Sequence, residues 1–206
     1  MTVQSYLILA FSSLVLVLPW RYCADTIAGT EATRGDDAAA LDREVWQAAL
    51  RWVNSTATGP LGLVVETSGI DLSSEWNSTD DFRFLGQNRI ERVIPKGLMQ
   101  NFLQRNHGST SITGLRTEKS FHWFHQVELE HLFSEGSGVG WEKLCEDLGV
   151  FEIVTLSLPG YGSDHQSALL YLFRSRGALA GDGYFLYLNI DHKEWCVEWI
   201  DIVVSS

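Results

Sequence analysis

The sequence predicts an α+β fold in which an N-terminal amphipathic helix and further short helices pack on a C-terminal antiparallel β-meander. Three observations carry this. Apolar residues recur at helical spacing from Ala38 to Val53, four runs rich in Val, Ile, Leu and aromatics fill the C-terminal part, and turn-forming segments separate those runs. Helices that precede such a sheet have one of its faces to cover.

From the start of the chain, Tyr6 to Leu18 is almost wholly apolar, broken by Ser12 and Ser13 and followed by Pro19-Trp20-Arg21. That length suits the apolar core of a secretory signal and is too short to span a bilayer. Thr26 and Ala28 place small side chains where signal peptidase needs them, so residues 1–28 are expected to be a signal peptide, with Ala24 as the rival cleavage point. No Lys or Arg precedes Tyr6, and a buried N-terminal helix or an uncleaved anchor is the competing reading. Trp20-Arg21-Tyr22 is too bulky to serve as a lipidation box ahead of Cys23. The expected location is secreted or otherwise exported, with no integral membrane span after cleavage.

Residues 29–37 are small and polar and read as a flexible lead-in, leaving 38–206 as one α+β domain. Leu41, Val45, Ala48, Ala49 and Trp52 form the stripe of the first helix, which Asp36 or Asp37 is placed to cap. Leu61 to Thr67 reads as a strand and Ser73 to Asn88 as mostly loop. Pro95 to Asn106 returns to helical spacing through Leu98 and Phe102. Ser109 to Leu115 and Phe121 to Phe124 read as short strands. Gln126 to Phe133 and Trp141 to Leu148 read as helices, with the glycine run Gly136 to Gly140 as the connection between them. Val150 to Leu158, Ser167 to Phe173, Tyr184 to Asn189 and Trp195 to Val204 are the strands of the meander.

The chain of 206 residues carries a formal charge of −11. A surface so acidic repels phosphate backbones and anionic headgroups, which disfavours nucleic acid and peripheral membrane partners. Cleavage after Ala28 removes Cys23 and leaves Cys145 and Cys196, which an oxidising compartment could join as a disulfide; two free, buried thiols are the equal alternative. Asn54-Ser55-Thr56 and Asn77-Ser78-Thr79 are N-glycosylation sequons in stretches expected to be exposed loops.

Leu156-Ser157-Leu158-Pro159-Gly160-Tyr161, Ser167 to Leu172, Gly181-Asp182-Gly183-Tyr184-Phe185-Leu186 and Trp195 together resemble the C-terminal sheet of a group of uncharacterised exported proteins. The helix end Phe102-Leu103-Gln104-Arg105-Asn106 and the Gly140-Trp141 step are similar to that group as well. The resemblance implies a shared fold and carries no activity. Many members have a cysteine pair in the loop corresponding to Arg174 to Gly181, where this chain has Arg176 and Ala180.

Among chemistry-bearing residues, His122, His125 and His131 lie close together with Glu128 and Glu130, but their spacing matches no known ligand signature. If Phe121 to Phe124 is a strand, His122 and His125 point to opposite faces. Ser157, Asp164 and His165 include the residue types of a hydrolase triad without a GxSxG elbow. The glycine run lacks the Lys of a phosphate loop, and Asp80-Asp81 or Glu128 with Glu130 are carboxylate pairs expected in any acidic chain. On a regular strand Trp195, Val197 and Trp199 share one face, either as core or as a platform for a ligand. The sequence therefore points to a secreted non-catalytic domain, without a cofactor, that binds a protein or small ligand through its C-terminal sheet. The alternatives are an extracellular hydrolase, metal-assisted through the His122, His125 and His131 cluster, and a cone-shaped pocket fold.

Overall fold

The structure is a computed structural model that describes residues 32–67, 82–85, 91–115 and 121–205. The expected signal peptide, the cleavage site and Asn77 lie outside the described residues.

Helix α1 (Ala32–Thr56) opens the fold. It starts six residues before Ala38, so most of the expected lead-in is helical and neither Asp36 nor Asp37 is its cap. Ala38, Ala39 and Ala40 are good helix formers and no Pro interrupts Ala32 to Thr56, so the helix continues through Gly35 despite its low propensity. Strand β1 (Leu61–Val64) follows, then β2 (Phe82–Leu85) and β3 (Glu91–Ile94), which pair antiparallel as a separate small sheet. Phe82 to Leu85 is thus a strand inside the stretch expected to be mostly loop: the apolar alternation of Phe82, Phe84 is short, and its pairing partner lies beyond it.

Helix α2 (Lys96–Arg105), β4 (Phe121–Phe124) and α3 (Gln126–Leu132) come next. Ser109 to Leu115 forms only an isolated bridge, Glu66 to Ser111. Helix α4 (Ser137–Leu148) takes in Gly138 and Gly140, so the glycine run is its first turn, not a connection. A Cβ at Gly140 would lie 2.1 Å from the Phe133 ring, so the absence of a side chain lets α4 close onto α3. The helix ends at Gly149 in the left-handed conformation, φ 64°, where a side chain would be strained.

The remaining strands are β5 (Glu152–Leu156), β6 (Gly160–Tyr161), β7 (Ser167–Gly177), β8 (Ala180–Asp191) and β9 (Glu194–Ser205). β5, β7, β8 and β9 are neighbours in that order and antiparallel, which is the expected meander. β1 extends the sheet from β5 in parallel and β4 extends it from β1, so the sheet of seven strands is mixed and the fold α+β.

Helix α1 covers one face, burying Val45, Trp46, Ala49 and Val53 against Leu63, Leu156, Leu170 and Leu186. The opposite face is covered by α2 over Leu169 and Phe185, and by α3 and α4 over Val64, Phe124 and Ile153. Under the end of α1, buried Arg174 forms a bidentate pair with Glu152, donates to Thr56 Oγ1 at 2.7 Å and stacks on Trp52 at 5.7 Å. No helix among the described residues is long and apolar enough to cross a membrane.

Candidate functional site

The segment Ser157 to Tyr161 runs from β5 into β6 and carries more side-chain-to-backbone hydrogen bonds than its apolar sequence suggests. Trp46 Nε1 donates to the Ser157 carbonyl at 2.9 Å. Asn106 on the C-terminal end of α2 accepts from Leu158 N at 2.8 Å and donates back to Leu158 O at 2.9 Å. Arg105 Nη1 donates to Pro159 O, and Asn101 Oδ1 accepts from Tyr161 N at 2.8 Å. Buried backbone groups that leave a ladder need such partners, and α2 supplies them from successive turns at Asn101 and Arg105/Asn106.

An ionic network closes the clamp. Arg105 forms a bidentate pair with Asp42 of α1, Nη1 to Oδ1 at 3.0 Å and Nη2 to Oδ2 at 2.8 Å. Tyr161 donates its hydroxyl to Asp42 Oδ1 at 2.8 Å, while the guanidinium lies 5.1 Å from the Tyr161 ring centre. Burial, then the Asp42 charge, pushes the Tyr161 hydroxyl far above its ordinary range, so it stays a donor. Burial works to lower the Arg105 pKa, but its hydrogen bonds with Asp42 and the Asp42 charge outweigh this and raise it. Three elements, α1, α2 and β6, are thereby fixed to one another.

Tyr161 also forms part of the wall of a cleft of about 560 Å³. The first turns of α2 contribute Pro95, Gly97, Leu98 and Asn101, and the β6–β7 turn contributes Gly162, Ser163, Asp164, His165 and Ser167. The turn is self-supporting: Gly162 N donates to Ser167 O at 3.0 Å, His165 N to Gly162 O at 3.0 Å and Gln166 N to Asp164 Oδ1 at 3.0 Å. His165 adopts φ 56°, a conformation costly for a side-chain-bearing residue, and its ring meets Tyr161 edge-on at 5.8 Å.

The other sequence-derived candidates are placed as follows. Ser157 is fully buried; its hydroxyl accepts from Tyr171 N at 2.9 Å and donates to Leu158 O at 3.0 Å, so it holds backbone and is no partner of Asp164 and His165. His125 is the N-cap of α3, its Nδ1 2.8 Å from Glu66 Oε1, and that hydrogen bond raises its pKa. His122 stacks on Phe124, and His131 lies in the last turn of α3. Among the described residues no three His, Cys, Asp or Glu side chains are grouped to hold a metal ion.

Trp195 and Trp199 do not share a face. The β8–β9 register slips, with Leu188 opposite Val197 but Tyr187 opposite Trp199, and the extra residue, Glu198, turns the strand over. Trp195, 3% exposed, is core beneath α1 and 6.2 Å from the Tyr161 ring. Trp199 is half-buried on the α2 face, stacked on Tyr187 at 5.1 Å with the rings 3° from parallel. Cys145 and Cys196, for which a disulfide and free thiols were equal alternatives, are both free in this structure: Cys145 is on α4, Cys196 is exposed on β9, and β7 and β8 lie between β9 and the β5 end of the sheet that α4 covers. Asn54 is in the last turn of α1, not in a loop, and the Thr56 hydroxyl of its sequon is engaged by Val53 O and Arg174.

The clamp itself escaped the sequence reading. Its signal was available in Asp42, which stands three residues before Val45 and four before Trp46 and therefore falls on the apolar stripe of its own helix. Comparison with models of protein families, with curated proteins and with solved structures finds no match.

Proposed function

We propose that the chain is an exported, non-catalytic domain that binds a small polar ligand in the cleft between the start of α2 and the β6–β7 turn. The observation that supports this is a cleft of about 560 Å³ whose Tyr161 wall is held by a charged clamp, within the usual ligand-pocket range of about 300–1,000 Å³. A wall fixed before the ligand arrives lowers the ordering cost of binding. The cleft lining includes the hydrogen-bonding side chains of Asn101, Ser163, Asp164, His165 and Ser167, and the nucleophile of the candidate triad is sealed in backbone contacts.

Gly97 provides the test. It lines the cleft, and a Cβ added there meets nothing within 4 Å. Gly97→Trp is expected to fill the cleft, leave thermal stability at or above that of the parent, and abolish the thermal shift given by small polar compounds that stabilise the parent chain. Retention of those shifts by a folded Gly97→Trp protein sinks the cleft as the binding site.

Export rests on residues 1–28. Cleavage after Ala28 falls ahead of the described part of α1, which begins at Ala32. N-terminal sequencing of protein recovered from the medium or periplasm of expressing cells is expected to begin at Gly29; retention of the full chain inside the cells counts against export.

A further inference from the structure

Resting on the cleft reading, we infer that its ligand class is a neutral saccharide. The side chains that line the cleft include no Lys or Arg and one carboxylate, Asp164, so an anion meets repulsion without a compensating side-chain charge. Arg105, behind the Tyr161 wall, is already neutralised by its bidentate pair with Asp42.

A cationic ligand would depend on Asp164, but that residue is exposed and one of its oxygens is occupied by Gln166 N at 3.0 Å. An exposed ion pair of this kind contributes about 0–1 kcal/mol. A purely apolar ligand would have to strip water from Asn101, Ser163, Asp164, His165 and Ser167 without replacing their hydrogen bonds.

What remains is an uncharged molecule with many hydroxyls and some apolar ring surface. The Asn101 Oδ1 is committed to Tyr161 N, which orients the amide and leaves its Nδ2 as a donor. Ser163 and Ser167 add hydroxyls that donate and accept, and Asp164 adds an acceptor. Pro95 and the ring of His165 supply the apolar and flat surfaces on which the C–H face of a sugar ring rests.

The experiment is calorimetry of the full chain with maltose, cellobiose and N,N′-diacetylchitobiose, run beside cadaverine and inorganic phosphate as cationic and anionic probes. At least one disaccharide is expected to bind with a Kd on the order of 1 mM or tighter, and at least roughly tenfold more weakly to Gly97→Trp. Disaccharide binding that Gly97→Trp leaves intact overturns the inference by placing the sugar elsewhere. Binding of cadaverine alone, lost in Asp164→Asn, overturns the saccharide class while upholding the cleft. Absence of binding by all three disaccharides also overturns the saccharide class; the cleft reading then stands or falls on the broader compound screen with Gly97→Trp.

Discussion

Gly160→Ala is expected to lower the unfolding free energy by about 3 kcal/mol, at the top of the usual range for overpacking. The Cβ it adds would lie 2.4 Å from Phe102 Cα, 2.4 Å from Phe102 Cβ and 2.6 Å from Phe102 N. These are helix backbone and its first side-chain atom, so no rotamer change relieves the contact. The whole of α2 must retreat from β6, and with it the bonds of Asn101, Arg105 and Asn106 to the 157–161 segment lengthen together. Urea unfolding of the two proteins measures the difference. Gly97→Ala in the same helix is the internal control, expected to be neutral or to stabilise by up to about 1 kcal/mol, because that position is open. Equal midpoints for Gly160→Ala and the parent would show that α2 does not approach β6 as described.

Asp42→Ala is the second large effect, expected at about 3 kcal/mol, the lower end for breaking a buried pair because Arg105 keeps some access to water. The Arg105 and Asp42 side chains are 22% and 8% exposed. Removing the carboxylate leaves a half-sequestered guanidinium and the Tyr161 hydroxyl without their acceptor. The penalty comes mainly from those stranded donors, so the double variant Asp42→Leu/Arg105→Met is expected to recover most of the lost stability. A double variant no more stable than Asp42→Ala would mean that the ionic network itself, and not the stranded charge, carries the energy. In either case Asp42→Ala should also weaken ligand binding in the cleft, since Tyr161 is free to shift.

The local elements were legible where a single periodicity governed them. The stripe Val45, Ala48, Ala49 and Trp52 marked α1, and the apolar runs with polar turns marked β5, β7, β8 and β9. Misreadings fell where a contact remote in sequence outweighed the local signal. The glycine run 136–140 looked like a linker because Gly lowers helix propensity, yet Gly140 is needed for α4 to meet Phe133. Trp195 and Trp199 looked like one face because a strand alternates with period two, and the bulge at Glu198 broke that period. Whether Cys145 and Cys196 are joined was left open by arithmetic on the sequence, which holds no information on how many strands separate them.

The candidate site shows the same division. The pieces Arg105-Asn106 and Ser157-Leu158-Pro159-Gly160-Tyr161 were both visible in the sequence, but nothing in their spacing says that one binds the other. Sequence alone determined the α+β class, the meander and the amphipathic first helix, because these depend on the order of apolar and polar residues within a few turns or one strand. Tertiary structure alone decided the parallel addition of β1 and β4, the crossing of Trp199 to the opposite face, and the joining of Asp42, Arg105 and Tyr161 across 119 positions of chain. Each of those depends on the close packing of elements far apart in sequence, where a hydrogen bond is worth having only once burial has removed water from both partners.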